Sequence, residues 1–267
     1  MSRIGAAFQK NGIPAFIGFT VAGDPDPETS VRIGKALIDA GTDILELGMP
    51  FSDPVADGPT IQKADERSLT AGTTPDTVFA IVRELRAYSS VPIVLLMYFN
   101  SVYRRGIARF YREAHDAGVD GVLIADMPVE ESEEAVAAAE EYGIDPIFLV
   151  ARTTSDDRLD AIVRQARGYV YLVSVLGVTG AREVLPPEAF ELLQRVRSHT
   201  ALPLALGFGI STPAQVKACA DAGADGVIVG SAIVEIIARN RHDSGAMELE
   251  LRRFVSGMKA AGNAPCR

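Results

Sequence analysis

Two carboxylates, Glu46 and Asp57, are the main candidates for chemistry in this sequence. Glu46 stands inside a short apolar run, where an ionised side chain is costly unless it is paired or used. Asp57 follows in a proline-rich segment, and Gly58 lets the backbone turn beside it. Position leaves a structural role open for Glu46, and loop aspartates such as Asp57 are commonly turn formers. Over one cavity, the pair could divide general acid and general base work.

Glycine-bearing turns form a second set of candidates. They are GVTG at residues 177–180, GFGIS at residues 207–211 and the pair Gly230-Ser231, and each follows a late apolar run. Such turns let several backbone N–H groups approach one anion. Residues 232–238 then have the pattern of a short helix, whose N-terminus would favour the same anion. Each turn alone is an ordinary tight turn, but three in succession predict a phosphate site.

Missing residue types narrow the chemistry further. No lysine stands at a predicted strand end, so a Schiff-base mechanism has no nucleophile. The histidines are scattered and cannot assemble a His-rich zinc site, and no dinucleotide fingerprint is present. General acid–base chemistry on a phosphate ester, without a metal, is what remains. The residues concerned are Lys10, Lys35, Lys63, Lys217 and Lys259, and His115, His199 and His242.

The elements that must position these residues repeat along the chain. A helix end, a glycine, an aspartate and an apolar run recur at residues 39–46, 116–123 and 221–228, and more loosely at 141–148. Glycine suits the left-handed position that ends a helix, and the apolar run is typical of a strand buried on both faces. Such runs predict eight strands, near residues 15–21, 43–47, 92–97, 121–125, 146–150, 169–174, 203–206 and 226–229.

Amphipathic helical patterns alternate with these strands. Strict alternation of eight units predicts an α/β fold, a (β/α)8 TIM barrel that forms a single domain over residues 1–267, with a doubly wound open sheet as the alternative. Two long connections, residues 50–59 and 176–187, follow the second and sixth strands on the side where barrel active sites are built. The helices are expected at residues 29–40, 74–88, 105–117, 130–142, 156–166, 187–197 and 213–222, with extra helices at 1–11 and 248–261.

The composition of the chain indicates which binding partners and which cellular location to expect. The net charge of −9 gives no general attraction for nucleic acid or an anionic membrane surface. The sequence has no pattern of a signal peptide or a membrane-spanning helix. Its two cysteines, Cys219 and Cys266, make no disulfide framework. We therefore expect a cytoplasmic protein.

The segment LELGMPFSDPVADGPTIQ at residues 45–62 closely resembles the signature of the tryptophan synthase α subunit family. The resemblance continues in FTVAGDP at residues 19–25 and in the GVTG and GFGIS turns, and it covers essentially the whole chain in order. It implies a carbon–carbon lyase that cleaves indole-3-glycerol phosphate to indole and glyceraldehyde 3-phosphate by a retro-aldol reaction. Such a reaction needs neither lysine nor metal, because the protonated indole ring is itself the electron sink.

The resemblance also implies a role for each matching residue. Glu46 is expected to protonate the ring carbon and to deprotonate the glycerol hydroxyl, and Asp57 to stabilise the developing positive charge at the indole N–H. The substrate-binding residues are expected to be Phe19, Tyr171 and Thr179, of which Thr179 closes over Asp57. The phosphate-binding positions are expected to be Gly180, Gly209, Gly230 and Ser231.

A protein partner follows from the same resemblance. The family's α subunit works with a β subunit in an α2β2 heterotetramer, so we expect docking at the C-terminal face of the barrel, around residues 50–59 and Asn100. No cofactor is expected in this chain, and pyridoxal phosphate is expected only in the β subunit. The alternatives are a stand-alone lyase that releases free indole, another phosphate-binding barrel of the same pathway, and a non-catalytic activator of the β subunit.

Overall fold

The computed structural model describes residues 2–9, 13–173, 185–207 and 209–262. Parallel strands pair in sequence order, and β1 also pairs with β8, so the sheet closes into a barrel. The predicted TIM barrel is confirmed, and the closure excludes the open sheet. The strands are β1 (Ala15–Val21), β2 (Ile44–Gly48), β3 (Ile93–Met97), β4 (Gly121–Ile124), β5 (Asp145–Ala151), β6 (Val170–Val173), β7 (Leu204–Gly207) and β8 (Gly226–Val229).

Helices surround the barrel, and an apolar shell fills the space between the two layers. Among the described helices, none is long and apolar enough to cross a bilayer. The helices are α1 (Arg3–Ala7), α2 (Pro27–Asp39), α3 (Pro59–Thr70), α4 (Pro75–Tyr88), α5 (Phe99–Arg105), α6 (Ile107–Ala117), α7 (Glu133–Glu141), α8 (Asp156–Gln165), α9 (Pro187–Arg197), α10 (Pro213–Asp221), α11 (Ser231–Arg239) and α12 (Ser244–Gly262).

Two of these helices, α3 and α5, were not predicted from the apolar periodicity. The inner face of α3 carries Asp65 and Ser68 beside Ile61 and Ala64, which weakens its apolar stripe. The α5 helix has only seven residues, and it ends where Gly106 adopts a positive φ of 85°. The single helix expected over residues 105–117 therefore begins after that glycine.

The aspartates of the repeated phrase tie strands together at the N-terminal end of the barrel. In three copies, the aspartate exchanges two hydrogen bonds with one residue of the preceding strand. The backbone N–H of the aspartate donates to the carbonyl of that strand residue, and the carboxylate of the aspartate accepts the backbone N–H of the strand residue. Each carboxylate also pairs with a cation. The repeated segment therefore has a structural role at the N-terminal end of the barrel, far from the C-terminal face. The sets are Asp43 with Phe16 and Lys259, Asp120 with Ile93 and Arg86, and Asp225 with Leu204 and Arg197.

Side chains inside the barrel form a separate apolar cluster, and α1 closes its lower end. Ile4 is fully buried in that cluster. The ring of Phe8, which follows α1, lies 5.6 Å from the ring of Tyr169 between centroids. The first turn of the chain thus acts as a floor, and the opposite end of the barrel carries the polar groups.

Candidate active site

Glu46 lies inside the barrel, on β2. Side chains alternate along a strand, so Leu45 and Leu47 point towards the helices while Glu46 points inward. The side chain is fully buried. The Tyr169 hydroxyl donates to its Oε1 at 3.1 Å. The other oxygen, Oε2, has no hydrogen-bond partner within the described part of the chain. One oxygen of this carboxyl group is thus held by Tyr169.

Burial sets the proton affinity of Glu46. Loss of solvent raises its pKa from 4.5 to about 7, and the hydrogen bond from Tyr169 opposes that rise. Burial and the charge of Glu46 hold the pKa of Tyr169 well above its usual range, so the phenol remains a donor. Near neutral pH, Glu46 can therefore both give and take a proton, which suits one residue to acid and base steps.

Asp57 lies in the loop between β2 and α3, and Tyr98 holds it there. The Tyr98 hydroxyl donates to Asp57 Oδ2 at 2.6 Å and accepts the backbone N–H of Ala56 at 3.0 Å. The Tyr98 ring also stacks on Phe51, with 5.0 Å between ring centroids. Burial raises the pKa of Asp57, and the bond from Tyr98 opposes this. The Tyr98 hydroxyl thus holds the Asp57 carboxyl group and the loop backbone at the same point.

Tyr171 lies within electrostatic range of both carboxylates. It lies on β6 and is buried, and burial together with the charges of Glu46 and Asp57 raises its pKa well above the usual value. Because both charges act on one hydroxyl, Glu46, Asp57 and Tyr171 converge on the same region of the barrel interior. Phe19, also buried, neighbours Glu46 in register on β1 and supplies an apolar wall.

Glycines at strand ends make room for these aromatic rings. A Cβ atom at Gly48 would lie 2.9 Å from the Phe19 ring, and one at Gly230 would lie 3.0 Å from it. A Cβ atom at Gly207 would come within 2.5 Å of the Tyr171 ring. The glycines of the late turns were predicted to bind an anion; in the structure, Gly207 leaves room for the Tyr171 ring and Gly230 for the Phe19 ring.

The described candidates for phosphate binding follow two adjacent strands. Gly209, after β7, adopts a φ of +79°, which favours glycine. Gly230, after β8, caps α11 without a side-chain hydrogen bond, and Ser231 is the first residue of that helix. Backbone N–H groups of the first helical turn are therefore directed at the C-terminal face. Thr179 and Gly180, and residues 176–184 of the second long connection, lie outside the described residues.

Sequence reasoning missed the tyrosines that position the carboxylates. Tyr98 comes directly after β3, so its strand-end position could have nominated it. Tyr169 precedes β6 and looks like an ordinary core residue until its 3.1 Å bond to Glu46 is seen. Asp65, buried on α3 close to Asp57, was also missed because the helix itself was not predicted.

Among the described residues, neither a metal-binding group nor a lysine lies at this site. No group of three or more His, Cys, Asp or Glu side chains that could hold a metal ion occurs in the regions the structure describes. The four lysines in those regions lie on α2, α3, α10 and α12, outside the barrel interior. The described polar groups inside the barrel are carboxyl and phenol groups, which are chemically suited to proton transfer.

The fold and site together define a TIM-barrel enzyme of the acid–base class. The chain matches the family model of the tryptophan synthase alpha chain over residues 6–263. It is 71% identical to the tryptophan synthase alpha chain of Methanoregula boonei, over 98% of each chain. It is 50% identical to that of Vibrio cholerae, over 98% of this chain and 99% of the relative.

Solved structures agree with the sequence matches. A chain of Mycobacterium tuberculosis tryptophan synthase superposes with a TM-score of 0.91 at 36% identity, covering 99% of both chains. A chain of the tryptophan synthase α2β2 complex from Pyrococcus furiosus superposes with a TM-score of 0.87 at 42% identity, covering 94% of this chain and 99% of that one. The chain belongs to the tryptophan synthase alpha chain family, which confirms the resemblance. The predicted lyase reaction follows from that membership.

Proposed function

We propose that Glu46 and Asp57 carry out the cleavage of indole-3-glycerol phosphate in this chain, at the C-terminal face of the barrel. The observation that carries the proposal is the buried Glu46 carboxyl group, whose pKa of about 7 lets it act in both protonation states. Its Oε2, which bonds to no residue in the described ranges, supplies the atom for proton transfer. Asp57 is the partly buried carboxylate that would accept the indole N–H.

The proposed reaction uses one proton carrier and leaves no net proton change. Glu46 in its acid form gives a proton to the indole ring carbon that bears the glycerol chain, and the ring becomes an electron acceptor. Glu46 then removes the proton of the neighbouring glycerol hydroxyl. The carbon–carbon bond breaks, its electrons return to the ring, and the hydroxyl carbon becomes the aldehyde of glyceraldehyde 3-phosphate. Asp57 stabilises the positive charge that the indole nitrogen carries in between.

The rest of the substrate is proposed to lie between an apolar wall and an anion site. Phe19 and Tyr171 are buried beside the carboxylates and offer ring surfaces to the indole. Gly209, Gly230 and Ser231 are the proposed phosphate positions, supported by the N-terminus of α11. Thr179 and Gly180 stay in the proposal on the resemblance alone. The site residues use no cofactor, and pyridoxal phosphate is proposed for the β subunit.

The test is an assay of glyceraldehyde 3-phosphate release from indole-3-glycerol phosphate, with and without a β subunit. Glu46→Gln and Asp57→Asn are each expected to lower kcat by about 100-fold to 10,000-fold, the usual contribution of a positioned acid or base. Glu141→Gln is the matched control because Glu141 is exposed at the C-terminal end of α7, outside the site and the proposed docking surface. Cleavage by Glu46→Gln at the wild-type rate would refute the acid–base assignment. Activity that is high alone and unchanged by the β subunit would favour the stand-alone lyase.

The β subunit is proposed to dock on the C-terminal face, around residues 50–59 and α5. Val55 is 85% exposed in that loop, and Tyr103 is 69% exposed on α5. Large apolar side chains exposed beside an active site are typical of an interaction surface. A groove of about 480 Å³ runs between the loop and α5 and includes Phe51 and Arg104. The Pyrococcus furiosus relative, from an α2β2 complex, supports the same partner.

Charge insertion tests this surface. Val55→Asp and Tyr103→Asp are expected to weaken β-subunit binding, measured by calorimetry. Tyr103→Asp, on α5 and outside the loop that carries Asp57, should leave cleavage by the isolated chain near the wild-type rate. Leu249→Asp is the control because Leu249 is 51% exposed on α12, away from the loop. Wild-type affinity for the β subunit in both Val55→Asp and Tyr103→Asp would place the partner elsewhere.

We also propose that residues 1–267 act as one domain and that the protein is cytoplasmic, as suits a biosynthetic enzyme.

A further inference from the structure

The segment that carries the family resemblance ends at Gln62, a residue to which the proposed reaction gives no role. Gln62 lies near the start of α3. It is exposed, so the core does not need its side chain. The side chain nevertheless turns back from the helix and bonds to the loop that carries Asp57. Gln62 therefore connects α3 to one of the two proposed catalytic residues.

The contacts of Gln62 fall on the two ends of a single turn. Its Nε2 donates to the backbone oxygen of Asp57 at 2.8 Å and lies 3.5 Å from the backbone oxygen of Pro54. The backbone N–H of Asp57 donates to that same oxygen of Pro54 at 3.0 Å, which closes a four-residue turn. The amide group of Gln62 thus faces both carbonyl groups of the turn in which Asp57 is the last residue.

Tyr98 contacts the same turn from a different element, after β3. Its hydroxyl donates to Asp57 Oδ2 at 2.6 Å and accepts the backbone N–H of Ala56 at 3.0 Å. Tyr98 therefore holds the carboxyl group of Asp57, while Gln62 holds its main-chain carbonyl group. Together the two contacts specify where the main chain of Asp57 lies and where its carboxyl group points.

The start of α3 has no other side-chain link of this kind. Gly58 is the N-cap residue, and it caps the helix without a side-chain hydrogen bond. The carbonyl group of Asp57 precedes that cap, so the hydrogen-bonding pattern of the helix does not include it. Without Gln62, this oxygen would bond to water, and the loop would lose its side-chain bond from α3 at Asp57.

We propose that Gln62 is a positioning residue, which holds the main chain of Asp57 so that the Asp57 carboxylate meets the indole N–H as positive charge develops there. This role rests on the proposed function of Asp57. Gln62 transfers no proton and acts through Asp57. Its loss should lower kcat more than it raises KM, because the proposed walls and phosphate positions that bind the substrate lie on other elements.

Two substitutions at Gln62 remove the hydrogen-bond donor in different ways. Met has a similar length and helix propensity, so Gln62→Met should lower kcat about fivefold to tenfold, the worth of one ordinary hydrogen bond. Gln62→Glu directs a carboxylate at the two carbonyl oxygens and should lower kcat by roughly 100-fold, as a displacement of about 1 Å can do. Lys63→Met is the matched control, since Lys63 is exposed at the next position of α3, and it should keep the wild-type kcat.

The measurement is glyceraldehyde 3-phosphate release from indole-3-glycerol phosphate by the full chain, with kcat and KM determined separately. Urea unfolding of each variant reports its stability. A double-mutant cycle with Asp57→Asn then shows through which residue Gln62 acts. Once the Asp57 carboxylate is absent, its position no longer matters, so adding Gln62→Met should change kcat by less than about twofold.

The outcomes distinguish two failures. If Asp57→Asn cleaves the substrate at the wild-type rate, the proposed function of Asp57 is wrong, and the role of Gln62 is wrong with it. If Asp57→Asn lowers kcat but both Gln62 variants keep the wild-type kcat, only the role of Gln62 is wrong; a purely structural Gln62 would lower stability in this way. A loss of kcat that persists in full beside Asp57→Asn would also overturn the proposal, because Gln62 would then act independently of Asp57.

Discussion

Replacing Glu46 with glutamine tests the central feature of the site, an acid buried for function at the expense of stability. Burial raises the pKa of Glu46 from 4.5 in the unfolded chain to about 7. A group with a raised folded-state pKa contributes fully to stability below its unfolded pKa, and that contribution is lost as pH rises through the folded pKa. Each pH unit of difference corresponds to ~1.4 kcal/mol, so ionised Glu46 lowers the unfolding free energy by about 3 kcal/mol. Glu46→Gln removes this loss.

The assay is urea unfolding of the wild type and Glu46→Gln at about pH 5 and about pH 8. The stability advantage of Glu46→Gln should grow by roughly 2–3 kcal/mol between the two conditions, because the wild type alone must hold a buried charge at the higher pH. Asp53→Asn, an exposed substitution in the neighbouring loop, controls for the loss of one negative charge. An advantage that does not change with pH would refute the argument that burial controls the proton affinity of Glu46.

Three further substitutions test the surroundings of the site. Tyr169→Phe removes the 3.1 Å bond that favours ionised Glu46. The inflection in the pH profile of kcat/KM should therefore move up by about one pH unit. An unmoved inflection would show that this bond does not lower the pKa of Glu46. Gly207→Ala places a methyl group within 2.5 Å of the Tyr171 ring, and kcat/KM should fall on the order of 100-fold with circular dichroism unchanged. Asp225→Asn should cost about 1–3 kcal/mol in urea unfolding, and a large loss of kcat/KM would contradict its purely structural role.

Much of the barrel could be predicted because strand and helix periods are local properties of a sequence. The strand expected at residues 15–21 coincides with β1, and the one expected at residues 226–229 coincides with β8. The α3 helix could not be predicted in the same way, since it buries Asp65 and Ser68 at positions where an amphipathic helix usually carries apolar residues. A helix that supports a catalytic loop carries polar groups inward, and that breaks the pattern by which helices are predicted.

The residues of the candidate site also differ in how far the sequence alone could predict them. Glu46 could be nominated because a charge inside an apolar strand is visible in the sequence itself. Its partner Tyr169 is 123 residues away along the chain, so no spacing connects them. Asp57 could be assigned a role only from the motif around it. Its partner Tyr98, whose hydroxyl donates to Asp57 at 2.6 Å, could be identified only from the three-dimensional structure. Local spacing predicts that the barrel closes, but it does not specify which side chains of distant strands meet inside it.

The floor formed by the first turn of the chain has a practical consequence for handling this enzyme. Phe8 lies against Tyr169, and the hydroxyl of Tyr169 bonds to Glu46. Deleting residues 2–8 would admit water beneath Tyr169 and improve the hydration of the Glu46 carboxylate. The pKa of Glu46 would then fall back towards 4.5. Tags or deletions at the N-terminus should therefore be judged by the acidity profile of the enzyme as well as by its yield.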